Sequence, residues 1–211
     1  MMELPGLFAD EERVVAPGAV VLGGIARDMG LLAGLDRIVA AAPFRHMVTP
    51  GGRAMSVAMT NCGVLGWVTD RHGYRYTSRD PEGGALWPAM PEEFKELAAR
   101  AAARAGFGGF VADACLVNRY APGARMALHQ DRNELDFGAP IVSVSLGLPA
   151  IFLWGGTERG DRAQRIRLCH GDVVVWGGEA RLNFHGVAPL ADGAHEILGR
   201  CRINLTFRKA A

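Results

Sequence analysis

Residues 140–155 read PIVSVSLGLPAIFLWG, and their pattern decides the fold. Two runs rich in β-branched, aromatic and small residues, 140–148 and 150–155, are separated by Pro149 alone. No helix fits between them. Working outward, the same signature recurs in VADACLVNRY (111–120), RIRLCHGDVVVWG (165–177), RLNFHGV (181–187) and CRINLTFRK (201–209), each bounded by glycine or proline. Six or more strands at close spacing, with no helices between them, predict a sandwich or barrel and not a parallel doubly wound sheet.

The first half reads differently. In PEEFKELAARAAARA (91–105), Pro91 suits the first helical position, Glu92 and Glu93 its positive end, Arg100 and Arg104 the other end, and Gly106 the stop. Phe94, Leu97, Ala98, Ala101 and Ala105 share one face, which needs something large to pack against. A weaker helix is expected over about 29–42. The expected fold class is therefore mainly β with flanking helices (α+β). It forms a single domain of residues 1–211, with an N-terminal extension over 1–109 and a β core over 110–211.

Bulk composition bounds the function. The 211 residues are 49% hydrophobic and 21% charged, with a formal net charge of +1. That is ordinary globular composition, and any nucleic-acid surface must be local. The opening stretch MMELPGLFADEERVV carries acids and no leader-like apolar run, and no apolar stretch reaches the roughly 20 residues of a membrane helix. Cys62, Cys115, Cys169 and Cys201 form no C-x-x-C pair, which argues against a zinc ribbon or redox dithiol. A cytoplasmic protein is expected, monomeric by default and without an obligate protein partner.

The segment ALHQD (127–131) holds His129 and Asp131 two residues apart. If this stretch is extended, both side chains point the same way and Gln130 the other. They offer two ligands to a divalent metal. His185, at the end of a later strand where Gly186 lets the backbone turn, is the best third. Two histidines and one carboxylate form the facial triad that leaves positions open on non-haem Fe(II), whereas structural zinc sites are closed by four ligands. His170, in a glycine-adjacent turn, reads as structural, and His195, in a polar loop, as solvated. H-x-D alone is a weak signal.

The last strand adds to it. In CRINLTFRK, alternation places Arg202, Asn204, Thr206 and Arg208 on one face and Ile203, Leu205 and Phe207 on the other. One wet face of an antiparallel strand is the simple explanation. The functional one is a polar pocket in which paired arginine forks hold a small dicarboxylic acid. Asn118 and Tyr120, on one face of the 111–120 run, can point into the same pocket.

Over nearly the whole chain, from about Leu7 to Arg208, the segments MVTPGGRAMSVAMTNCG, YRYTSRDP, WPAMP, DACLVNRYAPGARMALHQDRNE, APIVSVSLGLPAIF, HGDVVVWGGEARLNFHG and RINLTFR strongly resemble the bacterial AlkB family, the Fe(II)- and 2-oxoglutarate-dependent dioxygenases that repair alkylated nucleobases. The resemblance implies a double-stranded β-helix (jelly-roll) core with an N-terminal helical and loop segment as a nucleotide-recognition lid. It implies iron on His129, Asp131 and His185. It also implies that 2-oxoglutarate's distal carboxylate lies on Arg202, Asn204 and Tyr120, with Asn118 and Arg208 near its iron-chelating end. Trp67 and Tyr74 would line the base pocket, Thr49, Met55 and Ser56 would belong to the lid, and Asn133 and Arg159 would contact substrate.

The implied reaction consumes O2 and 2-oxoglutarate, demethylates bases such as 1-methyladenine and 3-methylcytosine in single- or double-stranded DNA, with RNA as a second polymer, and releases formaldehyde, succinate and CO2. The base must be flipped out or presented on a single strand. WVTDRHGYRYTSR (67–79) supplies aromatic rings for stacking and Arg71, His72, Arg75 and Arg79 for phosphate. Asn133 and Arg53 stand where the family carries an aspartate and a tyrosine, which leaves lesion preference open. The alternatives are an oxygenase of the same cofactors acting on a protein or small molecule, and a nucleic-acid-binding module with a structural metal.

Overall fold

The computed structural model describes residues 11–27 and 29–211, so residues 1–10 of the opening stretch read above for a leader lie outside the described residues. In chain order, β1 (Glu12–Ala16) and β2 (Ala19–Leu22) form a hairpin, and α1 (Leu31–Ala41) and β3 (Ala58–Gly63) follow. A second hairpin joins β4 (Gly66–Asp70) to β5 (Gly73–Thr77), before α2 (Glu92–Arg104). Then come β6 (Ala114–Tyr120), β7 (Met126–His129), β8 (Ile141–Gly147), β9 (Ala150–Trp154), β10 (Gln164–Leu168), β11 (Val173–Trp176), β12 (His185–Val187) and β13 (Arg202–Arg208). Both expected helices and all the expected strands form. The strands before residue 80 were not legible, because runs such as AMTNCG lack a clean alternation and others such as GYRYT are only five residues long.

A seven-stranded antiparallel sheet has the order β1-β2-β11-β8-β13-β6-β3 and faces a four-stranded sheet ordered β10-β9-β12-β7. The larger sheet thus draws strands from both sides of residue 110. One of its faces carries the helices. Ile203, Leu205 and Phe207 of β13 bury there with Phe94, Leu97, Ala98 and Ala101 of α2, and Phe94 meets Phe207 edge-to-face with centroids 5.8 Å apart. Ala102 is buried on this face, while the expected Ala105 is only partly covered. The other face looks across the sandwich at β9 and β12, where Tyr120, Phe152, Trp154 and Trp176 form a second cluster.

This arrangement settles the reading of β13. Both its faces are covered, and Arg202, Asn204, Thr206 and Arg208 are no more than 6% exposed. A buried strand with two guanidinium groups cannot be a solvated face. Its polar side chains point into the gap between the two sheets, where the polar groups need partners.

Candidate active site

His129 ends β7 and His185 begins β12, and the two are direct cross-strand partners with ring centroids 4.4 Å apart. Gly186 makes this pairing possible, though not by turning. It lies inside β12, and a Cβ there would meet the Met126 carbonyl oxygen at 2.7 Å. The absent side chain lets β12 approach β7 closely. Asp131 lies just past β7, with its Oδ1 3.6 Å from His129 Nε2 and its Oδ2 3.7 Å from His185 Nε2. The ligand atoms of all three residues fall within 4.8 Å of one another, and among the described residues no other such group of histidine, cysteine or acid side chains forms.

The hydrogen bonds fix which nitrogens face inward. His129 Nδ1 lies 2.9 Å from the Ala127 carbonyl oxygen and His185 Nδ1 3.0 Å from that of Asn183. A carbonyl only accepts, so each Nδ1 carries the proton and donates it. Each Nε2 then presents its lone pair toward Asp131, as a metal-ligating imidazole does. Burial pushes His185 down to about 4, with His129 adding to the shift, so it is neutral at pH 7 and ready to ligate. Burial alone would raise the Asp131 carboxyl, but the Arg208 guanidinium beside it, with His185 and His129, holds it well below the usual range. Arg208 Nε and Nη2 both donate to Asp131 Oδ2, at 2.9 and 2.6 Å. Gln130 points away, as expected, and donates to the Leu182 carbonyl, tying the H-x-D segment to the entry of β12.

A small cavity opens beside these ligands, between the sheets, lined by Asn118, Tyr120, Arg202, Asn204 and Arg208 from the larger sheet and Met126, His129, Phe152 and His185 from the smaller. Arg202 is 1% exposed and packs over the Tyr120 ring at 5.1 Å. Its Nη2 donates to Ser145 Oγ at 2.8 Å, while Nε and Nη1 have no partner. Burial lowers its pKa, opposed only in part by the neighbouring Tyr120. A buried guanidinium with two unused donors, facing a cavity, calls for an acidic ligand of matching size. Asn204 is already engaged: it donates to Ser143 Oγ and the Val144 carbonyl and accepts from Asn118 and Thr206. The donor set fits a divalent metal, and Arg202 fits a carboxylate.

At the mouth, Trp67 of β4 and Tyr74 of β5 stack with centroids 5.7 Å apart. Trp67 Nε1 donates to Asn133 Oδ1 at 3.2 Å, which joins this aromatic pair to the loop carrying Asp131. Thr69 of β4 donates to the Val48 carbonyl, fixing the 48–54 turn alongside the hairpin, and Thr49 Oγ1 accepts from the Arg53 backbone. Met55 packs against the same core cluster as Trp67, while Ser56 donates to the Arg125 carbonyl. Arg159 lies 5.0 Å over Phe184 and donates to the Leu128 carbonyl.

Two expectations need correction. Arg75 forks onto Asp70 at 2.7 and 2.9 Å, so it is not a free cation for phosphate, whereas Arg79 is exposed and gives one bond to the neutral Gly84 carbonyl. His195 is half-buried and stacks on His170 at 4.6 Å. Arg181 and Trp176, buried around the site, were not singled out. Tyr76, one of the rings read for stacking, pairs opposite Trp67 and donates its hydroxyl to the buried carboxylate of Glu134.

Comparison with known proteins gives the same answer. Residues 18–208 match the 2OG-Fe(II) oxygenase superfamily. The alpha-ketoglutarate-dependent dioxygenase AlkB of Salmonella typhimurium is 57% identical over 210 residues, covering 97% of each chain. The mouse nucleic acid dioxygenase ALKBH1 is 35% identical over 140 residues, 65% of this chain and 35% of that protein. The structure of OsALKBH1 superposes with a TM-score of 0.83 at 28% identity, covering 94% of this chain and 100% of the other. The chain therefore belongs to the 2OG-Fe(II) oxygenase superfamily, within its AlkB family of dioxygenases that use Fe(II), 2-oxoglutarate and O2.

Proposed function

We propose that this protein oxidatively demethylates N-alkylated bases such as 1-methyladenine and 3-methylcytosine in DNA, with RNA as a second polymer. The observation that carries the reading is the juxtaposition of three groups: a His129–Asp131–His185 cluster, a buried Arg202 with two unused donors, and a Trp67–Tyr74 stack bonded to the loop between them. Relatives whose names give nucleic-acid substrates support it.

His129, Asp131 and His185 would hold Fe(II) through two imidazole Nε2 atoms and a carboxylate oxygen, leaving coordination positions open. Bound there with 2-oxoglutarate and O2, the iron supplies the oxidation that converts the N-methyl group to a hydroxymethyl lost as formaldehyde, with succinate and CO2 as co-products. Arg202 takes the distal carboxylate through Nε and Nη1, and the Tyr120 ring beneath it excludes water. Asn204, held by four hydrogen bonds, keeps Asn118 in place at the cavity wall. Arg208, held on Asp131 and lining the same cavity, would supply positive charge toward the chelating end of the co-substrate.

The 48–56 segment and the β4–β5 hairpin act as the nucleotide lid. Trp67 and Tyr74 stack the extruded base, worth roughly 1–3 kcal/mol per base. Thr49, Met55, Ser56 and Arg159 bound the strand that carries it, and Asn133 reaches the base edge.

The test is mass spectrometry of a single-stranded oligonucleotide with one 1-methyladenine, incubated with protein, Fe(II), ascorbate and 2-oxoglutarate in air, with succinate measured in parallel. Loss of one methyl group that depends on 2-oxoglutarate supports the reading. Succinate formation without demethylation, repeated on 3-methylcytosine, would refute the assigned substrate.

A further inference from the structure

Behind the candidate metal ligands lies an array of buried charges that reaches past the groups assigned to this function. Arg208 places both Nε and Nη2 on Asp131 Oδ2, and its Nε also stands 3.4 Å from Glu134 Oε1. Glu134 is the most deeply buried carboxylate here, with its side chain 1% exposed. Its Oε1 accepts from the Tyr76 hydroxyl at 2.6 Å and its Oε2 from Arg181 Nη2 at 3.1 Å. Arg181 turns its remaining donors to the backbone carbonyls of Asp131, at 3.0 Å, and Ala139, at 3.1 Å. Two carboxylates and two guanidiniums thus neutralise one another out of water.

The arrangement bears on the metal. A carboxylate that receives two bonds from one guanidinium is held back from any cation that must share it, and in a buried site the contest is strong. Glu134 gives Arg208 a second carboxylate, so Arg208 need not be neutralised by Asp131 alone. It also occupies Arg181, which would otherwise face the Asp131 loop with an unpaired buried charge. Tyr76 fixes the Glu134 carboxylate from β5, the strand that carries Tyr74. We infer that Glu134 is a positioning residue for the metal centre, acting through Arg208 on Asp131, and that Tyr76 ties its carboxylate to the hairpin bearing the Trp67–Tyr74 stack. The inference rests on the metal reading of His129, Asp131 and His185.

The experiment is an anaerobic Co(II) titration of the full chain, followed by visible absorption without nucleic acid or 2-oxoglutarate, with melting temperature measured alongside. Glu134→Gln keeps the shape and removes the charge, and should weaken Co(II) binding about ten- to a hundred-fold, the usual effect of removing a group behind the ligands. Tyr76→Phe should weaken it by less, and should add nothing once Glu134 is glutamine, since both act along one path. Co(II) affinity of Glu134→Gln equal to wild type, whether or not its melting temperature falls, would overturn the inference. If Glu134→Gln does not fold, Tyr76→Phe decides, and wild-type Co(II) affinity in that folded variant overturns it equally. Failure of the wild type itself to bind Co(II), with Asp131→Ala indistinguishable from it, would instead overturn the metal reading together with what rests on it.

Discussion

Gly186→Ala adds one methyl group at the closest approach of β12 to β7. The new Cβ would sit 2.7 Å from the Met126 carbonyl oxygen and 3.1 Å from the Ala127 carbonyl group, where ordinary contact begins at 3.4 Å. The strands must therefore part by about 0.7 Å, the difference between those contact distances. Both neighbours are backbone, so no flexible side chain can swing aside. Overpacking of this kind costs about 1–3 kcal/mol. For a chain of 211 residues this lowers Tm by about 2–12 °C. The same displacement separates His185 from His129, its partner across that pair. A working site tolerates about 0.5 Å. Metal affinity and kcat should therefore each fall about 100-fold. Calorimetry and an anaerobic Co(II) titration measure the two effects separately. Wild-type values in both would refute the close-approach reading, and a lowered Tm with unchanged metal affinity would refute the link between that contact and the ligands.

Asp131→Ala should abolish turnover through loss of iron, so near-normal activity with stoichiometric iron bound would be inconsistent with its role. Arg202→Lys retains the charge but not the fork, and should raise KM for 2-oxoglutarate about ten-fold or more while changing kcat less, as steady-state succinate assays would show. Tyr74→Ala should weaken binding of a methylated single-stranded oligonucleotide by about 1–3 kcal/mol without altering Co(II) affinity, measured by fluorescence anisotropy and absorption titration.

How far the sequence was readable depended on where the signal was local. Alternation in CRINLTFRK separated the helix-facing residues of β13 from the cavity-facing ones, and both faces lie as that pattern required. His129 and Asp131 were readable because two residues of extended chain bring both side chains to one side. Pairing with His185 depends on the β12–β7 register, which no local pattern encodes, and was reached by weighing the histidines against each other. The partners of Glu134 were hidden for a similar reason. An acid in a polar, loop-like stretch looks solvated until Arg181 and Tyr76, 47 and 58 residues away, close around it. Arg75 erred the opposite way: a cation in a basic stretch looked available, but Asp70, diagonal to it across the hairpin, had already claimed it.

The two unused nitrogens of Arg202 have a consequence for the protein in the cell. Without a co-substrate, the folded chain would hold a positive charge between two sheets with only Ser145 and Tyr120 beside it. On the proposed reading of Arg202, a dicarboxylate that enters would relieve a penalty the unfolded chain never has, so 2-oxoglutarate would act as a folding ligand as well as a reactant. At about a hundred times its dissociation constant it would add about 2.7 kcal/mol to stability. Shifts of this order change steady-state abundance several-fold where proteases sample the unfolded state. The supply of a central carbon metabolite would then set how long each enzyme molecule lasts, and not only how fast it works.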